Sequence, residues 1–434
     1  MKNIKNSLAQ SKRYERYIFK VASFRKPVLK SGNGSFVEDL DGNKYLDLMS
    51  GQFCLGFGHL YPEFNKVVIK QLKKIVHTNT LSLTEEVFKA AKALSATTNG
   101  QLKKTLLLST GAEAVEAALR YAKFFTQKEG VVGIEDGYHG LTLATQSISS
   151  KGLYAKPKVP LTFSIPTPDW INRPKNTTVD EFIENCLKIS ESQLQPFLGK
   201  IAAFIVEPII SVGGMIFPPK KYFQGIAQLA KKHNALLIFD ECQTGLGRTG
   251  KWFAYQYFDI VPDILVVSKI SGLGLPISAI LLKDEIAKRV EGKYIHFSSH
   301  QNDPLGGAII EFVIEHINKK NILKKINKSG MYFLNKLTIL SKFQPWIKNP
   351  RGLGLMIAFD LPFNKYNEKI NPGFDLINMI EDEGIIIQAI RQGKTFRILP
   401  NFLISNKEID LFINKLTICI KKLAKKYALR KNRL

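Results

Sequence analysis

The sequence has few cysteines and no long apolar run. Only four cysteines occur among 434 residues, and they are Cys54, Cys186, Cys242 and Cys419. None forms a Cys-x-x-Cys pair or lies beside histidines at zinc-ligand spacing, which argues against a zinc ribbon or a disulfide scaffold. Scarce, unpatterned cysteine is typical of a reducing compartment, so we expect a cytoplasmic protein. No apolar run approaches the roughly 20 residues of a membrane-spanning helix, so we expect no membrane association.

Acidic residues are scarce relative to basic ones. The chain has 62 Lys and Arg against 37 Asp and Glu, which gives a net charge of +25. A basic nucleic-acid-binding protein is therefore the non-enzymatic alternative, and it predicts steeply salt-dependent DNA binding. Against it, the lysines are spread along the chain and no nucleic-acid-binding module is present. The densest basic clusters, residues 1–27 and 421–433, are interpreted as solvated ends, and the first lacks the apolar core of a secretory signal.

The middle of the chain alternates between strand-like and helix-like patterns. Strands are predicted at 105–108, 131–134, 201–206, 235–239, 264–267 and 278–282. Helical spacing follows the first strand and recurs at 221–233 and 305–319. This alternation predicts a mostly parallel sheet covered by helices on both faces.

The pattern changes after residue 320. Short strands at 355–359, 385–388 and 396–399 lie among helices, and a hairpin is predicted at 36–48. We therefore predict an α/β protein with three parts. Residues 1–50 form an N-terminal arm and part of a small domain, residues 51–320 a large domain, and residues 321–434 the rest of the small, α+β domain.

The most informative motif runs from residue 240 to residue 269. One apolar run ends at Asp240, and a second delivers Ser268 and Lys269. In an open α/β sheet the carboxyl ends of the strands face the ligand crevice. An acid and an amine presented there suit pyridoxal phosphate, which needs a lysine to bond its aldehyde and an acid to keep its pyridine nitrogen protonated. The alternative is that Asp240 caps a helix and Lys269 is solvated.

The same stretch also satisfies the dinucleotide-binding pattern. Gly245, Gly247 and Gly250 match Gly-x-Gly-x-x-Gly. That pattern requires a helix to begin within it. Here Trp252 to Tyr255 continue into Pro262 without a helical signal, so we disfavour the dinucleotide interpretation.

Other motifs lie at the ends of neighbouring predicted strands. Ser109-Thr110-Gly111-Ala112-Glu113 lies between a strand and a helix, where free backbone amides can hold a phosphate. Taken alone this motif favours an ordinary helix cap, whereas with Asp240 and Lys269 in the same sheet it favours phosphate binding. Tyr138-His139-Gly140 offers an aromatic ring that can stack on a planar group. Glu207 ends another strand, and Arg397 lies on a late strand, where an arginine can clamp a carboxylate.

These residues resemble the class III pyridoxal-phosphate aminotransferases, which have fold type I. The resemblance runs from about Gly34 to the C-terminal helix. Its most specific element is Asp240-Glu241-x-Gln243-Thr244-Gly245 followed by Lys269, supported by the motif at 109–113. It implies a large domain with a mostly parallel sheet and a smaller α+β domain built from both chain ends. It also implies transfer of an amino group from an amine or amino acid donor to a 2-oxo acid.

The resemblance implies a role for each matching residue. Lys269 would bond the coenzyme and move the substrate proton, and Asp240 would pair with the pyridine nitrogen. Thr110, Gly111 and Ala112 would hold the coenzyme phosphate, and Tyr138 would stack on the ring face. Gln243, oriented by Glu207, would hydrogen-bond the phenolic oxygen. Ser299 stands where the family usually has a threonine reaching the phosphate of a second subunit, which implies a homodimer with shared active sites. Arg397 would take the substrate carboxylate.

Within the family the chain looks most like the 2,2-dialkylglycine decarboxylase branch. In that branch the glutamine at Gln52 contacts the scissile carboxylate, and the aspartate at Asp303 belongs to an alkali-metal site. Decarboxylation-dependent transamination is therefore the alternative activity. The chain departs from the branch at Tyr138, where the branch has tryptophan, and at Val212, where ω-amine-using relatives carry a glutamate that neutralises the arginine. We therefore expect α-amino or amino-sugar-like donors rather than terminal diamines.

Overall fold

The computed structural model describes residue 13, residues 15–22, residue 25 and residues 27–149, 159–363 and 371–431. Residues 1–12, 14, 23, 24 and 26 of the basic arm and residues 432–434 lie outside this part. The chain divides into two compact units. The larger unit comprises Glu63–Lys328 and Gly352–Met356, and the smaller unit comprises Met1–Pro62, Ser329–Arg351 and Ile357–Leu434. The domain boundaries expected at residues 50 and 320 stay predictions.

Fifteen strands are found in the described residues. In chain order they are β1 Leu29–Asn33, β2 Phe36–Asp39, β3 Lys44–Asp47, β4 Lys104–Leu108, β5 Gly130–Ile134, β6 Thr162–Ile165, β7 Ile201–Val206, β8 Leu236–Asp240, β9 Ile264–Val267, β10 Ser278–Leu282, β11 Lys348–Leu353, β12 Met356–Asp360, β13 Ile385–Ile386, β14 Gln388–Ile390 and β15 Thr395–Ile398. The longer helices are Pro62–Leu72, Glu85–Thr97, Gly111–Thr126, Val179–Leu194, Lys220–Lys232, Pro304–Lys319, Ile322–Phe343, Pro372–Asp382 and Asn406–Lys431. Shorter helices are Ser50–Phe53, Leu143–Ser147 and Asp284–Val290.

The larger unit is built on a seven-stranded sheet. Its strand order is β4-β10-β9-β8-β7-β5-β6. The pairings from β6 through β5, β7 and β8 to β9 are parallel, whereas β10 runs antiparallel to both β9 and β4. Every residue of β7 is buried, as expected for a central parallel strand covered on both faces. The predicted α/β class and the mostly parallel sheet are confirmed.

The helix Gly111–Thr126 begins at a reciprocal cap formed by the residues around its first turn. The Thr110 side chain accepts a hydrogen bond from the Glu113 amide at 3.2 Å, and the Glu113 carboxylate accepts one from the Ser109 amide at 3.0 Å. Helix starts of this kind satisfy amides that have no partner within the helix. The apolar face, which includes Val115, Ala118 and Ala122, packs into the main core of the sheet.

The smaller unit carries most of two four-stranded sheets, with the orders β1-β2-β3-β13 and β11-β12-β15-β14. The predicted hairpin at 36–48 is present as β2 and β3, which pair antiparallel with Val37 opposite Tyr45. Strand β13 pairs parallel with β3, so a segment late in the chain completes a sheet begun near its start. None of the helices in the described residues combines the length and apolar composition needed to cross a bilayer.

Candidate active site

Asp240 and Lys269 lie at the carboxyl ends of adjacent parallel strands. Asp240 is the last residue of β8 and is opposite Val266 of β9, two residues before Ser268. Lys269 is half-buried and begins a short turn, Lys269–Ser271. Its φ angle is +49°, a left-handed conformation that costs a non-glycine residue about 1–3 kcal/mol. The acid and the amine therefore meet at one edge of the sheet, and the lysine is held there in a strained conformation.

Asp240 forms a buried pair with His139. Its Oδ2 lies 2.8 Å from Nδ1 of His139, and its Oδ1 accepts a hydrogen bond from the Cys242 amide at 3.0 Å. Burial opposes ionisation of Asp240, but the hydrogen bond and charge of His139 outweigh it and hold the pKa of the carboxyl below its ordinary value. Burial likewise opposes the charge on His139, yet its bond to Asp240 raises the pKa of the imidazole. The pair is stabilised as imidazolium and carboxylate.

Glu207 is a second buried acid beside this pair. It follows β7, and its Oε1 accepts a hydrogen bond from the Tyr138 amide at 2.7 Å. Burial raises the pKa of Glu207 to about 7, and its carboxyl group interacts electrostatically with His139, Asp240 and Lys269. Glu207 therefore fixes the backbone at Tyr138, whose side chain is half-buried.

The loop before the helix Gly111–Thr126 packs directly against the residues that flank Asp240 and Lys269. A Cβ atom on Gly111 would lie 3.0 Å from Sγ of Cys242 and 3.3 Å from Cβ of Ser268. A Cβ atom on Gly140, whose φ is +116°, would lie 2.6 Å from Cβ of Ala112. Only glycine fits these two positions without displacement of its neighbours. The structure thus brings the motifs at 109–113, 138–140, 240–245 and 268–269 together.

Glu241 organises the loop after Asp240. It is buried, and it accepts hydrogen bonds from the amides of Ala254 and Tyr255 at 2.7 Å each and from the Thr244 hydroxyl at 2.9 Å. Within this loop Gln243 is half-buried. The glycines at 245, 247 and 250 lie in turns, and only the four-residue turn Ala254–Tyr257 follows them. No helix starts within the glycine pattern, which removes the basis of the dinucleotide interpretation.

Thr110 and Ser299 are exposed side chains at this edge of the sheet. Thr110 caps the helix, and its carbonyl oxygen accepts a hydrogen bond from the Ser278 hydroxyl at 2.9 Å. Ser299 belongs to a turn that is tied to β4 through Asn302. The Asn302 amide donates to the Leu107 carbonyl oxygen, and its side-chain oxygen accepts from the Leu107 amide, both at 3.0 Å.

Arg397 and Gln52 belong to the smaller unit. Arg397 lies on β15 and is buried, and its Nε donates a hydrogen bond to Oε1 of Gln388 at 2.7 Å. Its guanidinium carbon lies 4.6 Å from the centroid of the Phe53 ring. Gln52 is exposed and precedes Phe53 in a kinked turn, where Ser50, Gly51 and Phe53 all have positive φ angles. Strained backbone of this kind is concentrated at functional sites.

Sequence reasoning named Tyr138-His139-Gly140 for its aromatic ring and did not assign a role to His139. The only sequence signal for this role is the histidine in the motif. Its partner Asp240 is 101 positions away, and a local pattern does not predict such a pair. Glu241 was likewise read only as part of a motif. Asp303, predicted at an alkali-metal site, lies within hydrogen-bond distance of two histidines, His77 and His300.

Comparisons with known proteins agree with this geometry. The family model described as "Aminotransferase class-III" matches residues 21–420. The acetylornithine aminotransferase of Methanocaldococcus jannaschii is 32% identical over 395 residues, which cover 90% of this chain and 92% of that protein. A crystal structure of a Bacillus anthracis aminotransferase is 26% identical, with a TM-score of 0.88, and covers 97% of this chain and 99% of its own.

A further solved structure shares the fold. It is the PMP-bound form of an aminotransferase from Vibrio fluvialis, which is 22% identical with a TM-score of 0.88 and covers 95% of this chain and 98% of its own. The family match spans most of the chain, and a relative above 30% identity covers nine tenths of it. The chain therefore belongs to the class III aminotransferases, and its activity is the pyridoxal-phosphate-dependent transamination that this family carries out.

Proposed function

We propose that this aminotransferase holds pyridoxal phosphate on Lys269 and accepts donors that carry a carboxylate beside the amine. The observation that carries the first half is the buried pair of Asp240 and His139 at the same sheet edge as Lys269. Thr110, Gly111 and Ala112 are the proposed phosphate contacts, together with Ser299 from a second subunit. Tyr138 is proposed to stack on the ring face, and Gln243, supported by Glu207, to hydrogen-bond the phenolic oxygen.

The residues present fit such a group. A buried carboxylate held ionised can keep a ring nitrogen protonated, and the pKa of Asp240 is lowered despite its burial. The helix Gly111–Thr126 offers free amides at its first turn, which suit a phosphate. Nε2 of His139 is buried, and no hydrogen-bond partner for it is found among the described residues. When His139 is protonated, its second N–H therefore has no acceptor among the described residues. This supports a role for the pair of His139 and Asp240 in binding a charged ligand.

The coenzyme supplies an electron sink that stabilises negative charge on the substrate α-carbon. The protein supplies the rest. Asp240 holds the proton on the ring nitrogen, and His139 keeps Asp240 ionised. With the coenzyme bound, the amine of Lys269 would remove the proton from the substrate α-carbon and hold it for return, which is general acid–base catalysis by one positioned group.

The second half of the proposal concerns Arg397. A guanidinium group can bind a carboxylate through two parallel hydrogen bonds. Its Nε is already bonded to Gln388, and the flat face of the group lies over Phe53. Because an amide carries no charge, the bond to Gln388 orients the guanidinium group without neutralising it. This supports donors with an α-carboxylate.

We further propose a cytoplasmic homodimer in which each subunit completes the site of the other. The exposure of Ser299 beside the phosphate-binding edge supports this arrangement, because a side chain that serves a neighbouring subunit must face outward. Size-exclusion chromatography with light scattering tests the assembly. If the sites are shared, a heterodimer of a Lys269→Ala subunit and a Ser299→Ala subunit has one intact site and regains activity that neither variant has alone. If the sites are independent, neither site is intact and mixing restores no activity.

Borohydride reduction of the pyridoxal-phosphate-loaded protein tests the attachment site. We expect one labelled peptide, which contains Lys269, and no label in a Lys269→Ala variant that retains its fold by circular dichroism. Label on another lysine, or none, would refute the assignment.

A donor panel read by half-reaction spectra tests the substrate class. We expect α-amino acids to convert the coenzyme faster than 4-aminobutyrate, and the preference to depend on Gln388. The Gln388→Glu variant places a charge on the arginine's partner, so KM should rise several-fold for carboxylate donors and stay unchanged for simple amines. 2-Aminoisobutyrate has no α-hydrogen, so release of CO2 from it would establish the decarboxylating alternative, in which Gln52 contacts the lost carboxylate.

A further inference from the structure

A second cluster of ligating side chains lies outside the proposed coenzyme site. Nδ1 of His77 lies 2.6 Å from Oδ1 of Asp303, and Nδ1 of His300 lies 2.7 Å from Oδ2 of the same carboxylate. The three potential ligand atoms lie within 4.8 Å of one another. The two imidazole rings are 4.8 Å apart at their centroids. All three residues belong to the larger unit, although His77 is 226 positions from Asp303.

We propose that His77, His300 and Asp303 bind a divalent transition-metal ion of the zinc class. Two imidazole nitrogens and one carboxylate oxygen are a ligand set typical of zinc, cobalt and nickel. Alkali and alkaline-earth ions prefer sites made of oxygen alone. The two histidines therefore give Asp303 a different chemistry from the alkali-metal site that the resemblance implied.

The carboxylate of Asp303 is directed toward the histidines instead of the helix that follows it. Asp303 occupies the N-cap position of the helix Pro304–Lys319, yet its side chain makes no capping hydrogen bond. A capping aspartate stabilises a helix by about 1 kcal/mol. The carboxylate of Asp303 thus contacts two imidazoles instead of capping the helix amides. Its negative charge also offsets the positive end of the helix dipole, which would otherwise repel a cation.

One half of the cluster is fixed by the backbone. Asn302 is bonded to Leu107 of β4 through its amide and its side-chain oxygen, which anchors the segment between His300 and Asp303. His77 and His300 are exposed to 47% and 63%, so both rings have room to rotate. Tetrahedral ligands at about 2.0–2.1 Å from zinc lie roughly 3.3 Å from one another, so each nitrogen–oxygen contact must widen by roughly 0.6 Å on metal binding.

The cluster also has space for further ligands. His77, His300 and Asp303 line a cavity of about 280 Å³, whose other walls include Ser109 and Ile277. Three protein ligands leave a position for water or an added anion, as in open zinc sites. This proposal does not depend on the proposed function. The cavity is nevertheless close to the proposed coenzyme site, because Ser109, which lines it, precedes Thr110 in the chain.

Metal uptake by the tag-free holoenzyme tests the proposal. The protein is treated with a chelator, dialysed into metal-free buffer and titrated with Zn²⁺ against a chromophoric chelator, with bound metal counted by mass spectrometry. We expect one ion per chain. His77→Ala and His300→Ala should each weaken binding by at least about tenfold, because even the loss of a supporting residue costs that much. The double variant should bind none. Co²⁺ should give the intense visible absorption of a tetrahedral site.

His316→Gln is the matched control, since it removes a histidine from the same helix, Pro304–Lys319, but not from the cluster. It should bind Zn²⁺ as the wild type does. Circular dichroism shows that each variant is folded. Three results would overturn the proposal: no stoichiometric uptake, uptake that survives the double histidine variant, or a thermal shift with K⁺ or Na⁺ but not with Zn²⁺ that is lost in Asp303→Ala. The first indicates a plain hydrogen-bonded cluster, and the last an alkali-metal site.

Discussion

Two Asp–His clusters in the larger unit use the same chemical groups in opposite surroundings. In the first, His139 and Asp240 are 2.8 Å apart, with side chains exposed to 0% and 4%. In the second, Asp303 lies 2.6 Å and 2.7 Å from two histidines, and the exposed fractions are 47% for His77, 63% for His300 and 19% for Asp303. Contact distance does not distinguish the two clusters, whereas burial does.

Burial decides what each cluster is suited to do. Charges withdrawn from water interact strongly and exchange slowly, and the removal of one partner leaves the other uncompensated. The pair of Asp240 and His139 is therefore suited to a permanent charge directed at a bound ring. Exposed charges are screened and contribute little to stability. The second cluster is therefore suited to exchange a water molecule or a metal ion at little cost to the fold.

The largest effect should follow from removing the charge of the buried acid. Asp240→Asn keeps the shape of the side chain, but an amide does not hold a proton on a ring nitrogen. We expect kcat to fall by roughly 100-fold or more, as for other positioned proton-transfer groups. Half-reaction spectra with a saturating amino donor measure this, and coenzyme content measured after alkaline release shows whether binding is retained.

Asp263→Asn is the matched control for this variant. Asp263 precedes β9 and accepts a hydrogen bond from the Leu237 amide at 2.8 Å, so it lies at the opposite end of the parallel strands from Asp240. We expect its kcat to stay within about twofold of wild type, because Asp263 lies away from the proposed site and its other partner is Lys283, at 2.7 Å. Equal losses in the two variants would contradict the assignment of Asp240.

The next largest effect concerns stability. His139→Gln leaves Asp240 buried without its charged partner, and breaking a buried pair typically costs about 3–5 kcal/mol. We expect the melting temperature of the enzyme to fall by several degrees in thermal scans monitored by circular dichroism. Because two units are present, the scans compare melting temperatures only, without a two-state free energy.

His77→Gln makes the corresponding change in the exposed cluster. In the presence of a chelator its melting temperature should match that of the wild type, because exposed ion pairs contribute little. A drop as large as that of His139→Gln would show that burial does not separate the two clusters.

The sequence predicted the central elements well because their signals are local. Strands at 201–206, 264–267 and 278–282 were placed at their observed bounds, since each is a short run of branched apolar residues between polar turns. Strand β6 was missed, because only Ile165 of its four residues is buried and the apolar signal is weak. The segment at 385–388, predicted as one strand, is two strands in different sheets, β13 and β14. Sheet membership depends on distant partners that a local pattern does not specify.

The candidate site divides in the same way. Asp240, Lys269 and Gly111 are predicted as site residues because each lies at the end of a strand or the start of a helix, where the pattern itself points to a ligand crevice. The structure brings their motifs together, and their roles stay predictions. The roles of His139 and His77 were not predicted, because they depend on contacts with Asp240 and Asp303 that are 101 and 226 positions away. The structure adds these long-range pairs, and they are what distinguish the two clusters.

The smallest effect is the pH dependence of stability, which belongs to the buried cluster. The pKa values of Glu207 and Glu241 are each raised by burial to about 7, and that of His139 is raised as well, so the folded protein holds protons that the unfolded chain releases. Stability from these groups is fully present at low pH and is lost as pH rises through these pKa values. We expect the melting temperature to decline from about pH 5 to about pH 8.

Glu207→Gln should make this decline shallower, because the amide still accepts the bond from the Tyr138 amide but does not titrate. A Glu207→Gln slope as steep as that of the wild type would show that another group carries the pH dependence.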